Sequence, residues 1–263
     1  MNMVENPPHG HGSAMNACID CRIYMLRKVK EMMPELGASF VITGEVLGQR
    51  PMSQQRHTIR LIEKESGLTD LILRPLSAQH FTPTLPEREG IVDRDKLLNI
   101  YGRGRKEQIA LAEDLGIKDY PCPAGGCLLT DKVIAARLRD LFDHTSDYSH
   151  TDLVLLTFGR HYRLYPDLKI ILGRNQEENE RLFTLTKDGH SIFEPDDFRG
   201  PTILALGCLN AEREATIGEM IAAHSQDIKP SYQIKKTMYP NDNAILFKVQ
   251  RRPRETWDKL RLG

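Results

Sequence analysis

Apolar residues recur at helical spacing early in the chain. Ile19, Ile23, Leu26, Val29 and Met33 follow one another by three or four positions, the repeat that gives a helix one buried stripe. Pro34 and Gly37 mark its end. Ser39–Thr43 (SFVIT) is a short β-rich apolar run closed by Gly44, and reads as a buried parallel strand. A helix over Gln54–Ser66 turns Ile59 and Ile62 inward, and Asp70–Leu76 (DLILRPL) reads as the next strand. Arg105–Ile117 is a helix closed by Gly116, and Asp131–Phe142 is another with Asp131 as its N-cap. Strands alternating with helices predict an α/β unit.

A polar stretch, Asp143–His150 (DHTSDYSH), separates this part from the next. It predicts two domains, residues 1–145 and 150–263. In the second, Lys169–Gly173 and Thr202–Gly207 read as strands, Gln176–Leu185 and Ala211–Ser225 as helices, and Ala244–Arg251 as a closing strand. That pattern predicts a smaller α+β domain.

Composition narrows the classes. The chain has 263 residues, 40% of them hydrophobic, enough for a sizeable core. Lys+Arg and Asp+Glu are 36 each, so a nucleic-acid surface must be a local patch rather than a global field. No apolar run approaches a membrane span, and the N-terminus lacks the apolar stretch of a secretory signal. A cytoplasmic protein without a membrane partner is expected, whose five cysteines act as ligands, nucleophiles or buried thiols rather than disulfides.

Two cysteine loci stand out. Cys18 and Cys21 form a C-x-x-C at a helix start, where free N–H groups and the helix dipole favour thiolate. Cys122 and Cys127 lie in YPCPAGGCLLTD, a rigid proline segment followed by paired glycines. Unrelated thiols, a structural zinc, a redox dithiol and a 4Fe–4S cluster on three cysteines are all compatible with this spacing. Cys208 reads as a buried thiol. The nine histidines are scattered, with surface or capping roles expected. Glu45 and Arg50 follow the first strand, where α/β sheets bind ligands, and are candidate cofactor-binding residues. For Arg50 and Gln49 a loop-structural role is equally open, as a solvated turn is for Arg103, Arg105 and Lys106 against tRNA phosphates.

The segment NACIDCRIYMLRKVKEMMPELGASFVITGEVLGQRPMSQ, followed by GRGRKEQIALAEDLGIKDYPCPAGGCLLTD, resembles the PP-loop ATPases that thiolate tRNA, the ThiI-like and MnmA-like thiouridylases. The resemblance covers roughly Asn6 to Phe142. It implies a PP-loop (adenine nucleotide alpha hydrolase-like) domain. It also implies a 4Fe–4S cluster, or zinc, on Cys18, Cys21 and Cys127, or catalytic thiols Cys21 and Cys127 with Cys127 carrying a persulfide. Ala17 stands where that family has proline. The family's ATP loop, S-G-G-x-D-S, does not occur in the chain. ATP would then bind only if a missing N-terminal segment supplied the loop. The parallel sheet would be truncated, its edge covered by a homodimer mate or a partner chain. Sulfur insertion into a tRNA uridine would also require a sulfur donor protein.

Further on, LKIILGRNQEENERLFTL resembles the NFACT-R signature, with EREATIGEMIAAHS and QIKKTMYP…AILFKV as its later helix and closing strands, over about Ser149 to Val249. The resemblance implies RNA binding. SIFEPDDFRGPTIL replaces that family's Trp–Phe–His stretch. Arg174 and Asn175 precede a helix N-terminus suited to phosphate, although Asn175 is also a plain N-cap. Lys235 and Lys236 belong to a C-terminal segment from Lys229 to Gly263 with nine cations against three acids, interleaved with Tyr232, Tyr239 and Trp257. A solvated charged face is the bland reading of the same pattern. Two functions follow: a tRNA sulfurtransferase incomplete by itself, or a non-enzymatic RNA-binding protein with a structural zinc or cluster.

Overall fold

In a computed structural model that describes residues 2–120, 126–241 and 243–263, the chain forms two compact units, Met1–Thr130 and Asp131–Gly263. The division falls before the helix over Lys132–His144, so that helix belongs to the second unit rather than the first. The second unit is no smaller than the first.

In the first unit, helix α1 (Cys18–Met32) buries Ile23 and Leu26 against Ile62 of α2 (Arg56–Ser66), with Leu68 and Ile72 completing the core. Gly67 ends α2 in a left-handed turn, φ 69°, a conformation glycine adopts without steric cost. Strands β1 (Val41–Ile42) and β2 (Ile72–Leu73) pair in parallel, Val41 opposite Ile72. Each is shorter than the apolar run that predicts it. Polar anchors draw the flanking chain into turns: Arg74 bonds Glu45 and Glu63 directly after β2, and the Ser77 hydroxyl accepts from the Leu47 amide at 3.0 Å. The described residues of this unit therefore hold a two-stranded parallel pair rather than a larger parallel sheet. Helix α3 (Lys106–Asp114) follows.

The second unit opens with α4 (Lys132–His144), capped by Asp131, whose carboxylate accepts from the amides of Val133 at 2.7 Å and Ile134 at 3.1 Å. A short helix, α5 (His150–Leu155), begins at the end of the predicted polar seam. Six strands then form one antiparallel sheet: β3 (Arg160–Tyr165), β4 (Leu168–Leu172), β5 (His190–Pro195), β6 (Ile203–Gly207), β7 (Tyr232–Met238) and β8 (Ala244–Val249), in the order β3-β4-β6-β5-β7-β8. Alternation along each strand divides the two faces. Leu168, Ile170 and Leu172 join Phe193, Ile203 and Ile234 on one face, covered by α7 (Ala211–Ala223) and the C-terminal 3-10 turn that buries Trp257. Ile171, Ile192 and Leu204 lie on the other, under Leu155 of α5 and Leu182 of α6 (Gln176–Thr184).

Candidate functional site

One end of the second unit's sheet collects arginines. Antiparallel pairing puts Arg160, the first residue of β3, opposite Leu172, the last of β4. Gly173 follows and leads into α6, while the loop before β6 (Arg199 to Pro201) and the end of α7 (His224) reach the same end. With Arg254 they enclose a groove of about 600 Å³. Gly173 makes the close approach possible: a Cβ there would stand 2.0 Å from the Asn179 side-chain oxygen. That oxygen accepts from the Thr202 amide at 3.3 Å, tying α6 to the β6 loop.

The charges in this groove are unequally free. Arg174 is engaged by Glu178, whose carboxylate accepts from its Nε at 2.9 Å, and this hydrogen bond raises the arginine's pKa. Asn175 caps α6, accepting from the Glu178 amide at 2.9 Å. The guanidinium groups of Arg160, Arg199 and Arg254 have no ion-pair partner among the described residues. His224 also lines the groove. Burial lowers its pKa, and the nearby charges of Arg254 and Arg160 lower it further, although the Met220 carbonyl favours its proton. These are the properties of a phosphate-binding surface: a helix N-terminus and unpaired guanidinium groups around one concavity.

Other predicted RNA contacts lie elsewhere. Lys236 points inward on β7 with Tyr232 and Ile234, 8% exposed, its ammonium 2.6 Å from Glu214. Its charge is thus already answered by Glu214 within the unit. Lys235 faces outward, 3.6 Å from Glu194. Tyr232 and Trp257 are buried in the core at 1% and 6% exposure, so neither ring can stack on a base. Neither Arg160 nor Arg199 stands out in the sequence. Their signal is topological, since strand order alone brings them together.

In the first unit, Cys18, Cys21 and Cys127 line one cavity of about 400 Å³ together with Arg22, Glu45 and Arg50. Asn16 donates to the Cys18 sulfur at 3.3 Å. Partial burial and the neighbouring thiols of Cys127 and Cys18 push the Cys21 thiol's pKa up, against Arg22. Glu45 is 4% exposed and held by Arg22 at 2.7 Å and Arg74 at 3.0 Å, so its carboxylate is already paired within the unit. Arg50 lines the cavity, and Gln49 bonds Gln108 at 3.1 Å. Among the described residues no three His, Cys, Asp or Glu side chains form a group able to hold a metal ion. The donor set for a cluster or zinc on Cys18, Cys21 and Cys127 thus shares a cavity without forming a ligand cage. Cys122 lies outside the described residues. Cys208 is exposed, not buried. His9 is tied to Asp20 at 2.8 Å.

Residues 159–260 match the family described as the NFACT protein RNA binding domain, which supports the resemblance read from that part of the sequence. A solved structure described as the C-terminal of the fibronectin/fibrinogen-binding protein from Streptococcus suis aligns over 92% of this chain and 94% of that chain, at 13% identity and a TM-score of 0.33, a likeness too slight to carry a structural conclusion. No curated protein matches. The PP-loop resemblance of the first unit receives no support from these comparisons. Among the described residues no helix is long and apolar enough to cross a membrane.

Proposed function

We propose that this chain binds RNA through the arginine groove of its second unit, with the RNA backbone as the main ligand and tRNA as a natural substrate class. The observation that carries the reading is the convergence of Arg160, Arg199 and Arg254 on one groove beside the α6 N-terminus, each without an ion-pair partner among the described residues. Cations already paired, such as Arg174 and Lys236, would have to give up a carboxylate first, and contribute less. The family match over residues 159–260 points the same way.

Fluorescence anisotropy with labelled tRNA, titrated across salt concentrations, tests it. Each phosphate that the protein no longer neutralises lowers the slope of log affinity against log salt by about 0.7–0.9. Arg160→Gln, Arg199→Gln and Arg254→Gln combined should flatten the slope by roughly two or more on that scale, while Lys236→Gln should leave it unchanged. An unchanged slope in the triple variant would remove the groove from the reading.

A second reading, sulfur delivery to bound RNA from the first unit, is favoured by one observation: the three cysteines share a cavity. It requires a cluster or persulfide, a sulfur donor protein and an ATP step that the chain's own residues do not provide. Iron and acid-labile sulfide in anaerobically purified protein, absent from the Cys18→Ala variant, would support it. Colourless protein without bound iron or persulfide would leave RNA binding as the whole function.

A further inference from the structure

The second unit holds another cavity, of about 380 Å³, on the α5/α6 side of its sheet. This volume lies in the usual range of small-molecule pockets. Its floor is one cross-strand rung: Arg163 of β3 pairs with Lys169 of β4, Lys169 with Leu206 of β6, and Leu206 with His190 of β5. Residues in register on neighbouring strands share a face. The next rung on that face is His161, Ile171, Leu204 and Ile192. Across these two rungs two cations and two imidazoles thus stand among four apolar residues. Such groups are costly to bury unless something answers them.

The charges answer one another within the unit. Asp140 of α4 accepts from Arg163 at 2.8 and 2.7 Å and lies 2.9 Å from the Lys169 ammonium. Lys187 faces Asp152 at 3.0 Å, and Arg213 faces Asp167 at 2.9 Å. Of the Asp, Glu, Lys and Arg residues that line the cavity, three carboxylates (Asp147, Asp152, Asp167) stand against three cations (Arg163, Lys169, Lys187). No surplus charge invites an ion.

What remains open is hydrogen-bonding capacity of both kinds. His161 is fully buried, and its Nε2 lies 2.8 Å from the Phe158 carbonyl and 3.2 Å from that of Leu155. Carbonyls only accept, so Nε2 carries the proton and Nδ1 is a bare acceptor. That Nδ1 is buried without a partner. His190 Nδ1 accepts from the Lys187 amide at 3.2 Å, which leaves its Nε2–H as a donor. Lys169 has three N–H groups and one carboxylate partner. Leu155 and Leu206 supply apolar wall.

We propose that this cavity binds a neutral planar heterocycle of the nucleobase class, accepting from its ring or amino N–H at His161 and donating to its ring nitrogen or carbonyl from His190 and Lys169. The base would arrive either as a free nucleoside or as an unpaired residue of an RNA strand. The proposal is independent of the arginine groove.

The test uses the full chain labelled with ¹⁵N-histidine. Adenosine, guanosine, cytidine and uridine are added separately, and the ring nitrogens are followed by NMR. At least one nucleoside should move the His161 Nδ1 resonance while that of His224, in the arginine groove, stays in place. His190→Leu should weaken that nucleoside about tenfold, as expected when one buried hydrogen bond is removed, and Leu206→Trp, which fills the cavity, should abolish the shift. If a short unstructured RNA carrying the base displaces the nucleoside, the base arrives on a strand; if it does not, the ligand is the free nucleoside. No shift with any of the four, or equal shifts at His161 and His224, would overturn the assignment. Neither result depends on whether the arginine variants change tRNA binding.

Discussion

Arg137 is 6% exposed, and no carboxylate pairs with it among the described residues. Its guanidinium donates instead to the carbonyls of Leu156 at 2.7 Å and Gly159 at 2.9 Å. These are the orphan acceptors at the end of α5 and in the turn to β3, where a cation is also favoured by the helix dipole. Burial lowers the arginine's pKa, and the charges of Arg174 and Arg261 add to that, yet an arginine stays protonated throughout the usable pH range. Replacement by an apolar side chain of similar length strands buried carbonyls. Arg137→Met is therefore expected to cost about 2–4 kcal/mol, and Arg137→Lys to recover only part, because one ammonium cannot match the fork geometry. Urea denaturation checks this: the midpoint should drop with no change in m. An unshifted midpoint would mean that water satisfies those carbonyls without help.

At the scale of elements, β3 shows how a strand can hide from a pattern reading. RHYRLY has Tyr162 and Leu164 on the core face and His161 and Arg163 on the other, so polar residues stand at buried positions and the apolar run is never continuous. His161 carries a pH consequence. Burial holds its pKa well below 6.5, and Lys169 and Arg137 add to the effect, against the Phe158 and Leu155 carbonyls. In the unfolded chain it titrates near 6.5. A group with a depressed folded pKa lends its stability in full above the unfolded value and loses it as pH falls through and below that value. His190 and His224 shift in the same direction, each mainly through burial. Burial opposes the charge of Asp140, but Arg163 and Lys169 prevail and hold its pKa below 3.8, so its contribution is lost only at more acid pH. Between about pH 7.5 and 5.5 the second unit should therefore lose stability. The chain's one tryptophan, Trp257, is buried in that unit's core, so its fluorescence reports the melting of this unit. His161→Phe should flatten the pH dependence, and an equal slope in wild type and variant would reject the argument. The elements legible in the sequence share a feature: their pattern is carried by local spacing. Ile23 and Leu26 of the α1 stripe are buried while Val29 is exposed, and the Asp131 cap and the apolar run of β4 survive in the structure. β3, β5 and β7 carry His161, Ser191 and Lys236 at buried positions. Lys236 is answered by Glu214, and each strand finds its neighbours only through the sheet, so no short window of sequence accounts for these placements. Cys18, Cys21 and Cys127 line one cavity, but the family resemblance that grouped them in the sequence has no support from the comparisons. Of the arginine groove only Arg174 and Asn175 were legible, because strand order brings in Arg160 and a distant loop brings in Arg199.

For the whole molecule, the two units have separate cores. Ile23, Leu26, Ile62 and Ile72 belong to the first, and the residues on both faces of the six-stranded sheet belong to the second. The groove residues Arg160, Arg199 and Arg254 and the floor of the base-sized cavity all fall within Asp131–Gly263. The protein as a whole is electrically balanced, so the RNA binding proposed above would have to come from this local arrangement and not from the total charge. A fragment beginning at Asp131 keeps the cap of α4, the whole antiparallel sheet and Trp257. It should melt cooperatively by tryptophan fluorescence and bind tRNA within about threefold of the full chain, a difference of under ~0.7 kcal/mol, with the same salt slope. Arg199→Gln should weaken the fragment and the full chain by the same factor. If the fragment folds but its affinity collapses, residues 1–130 supply phosphate contacts of their own. The cavity that Arg22 and Arg50 line with the three thiols would then be the first place to look for them.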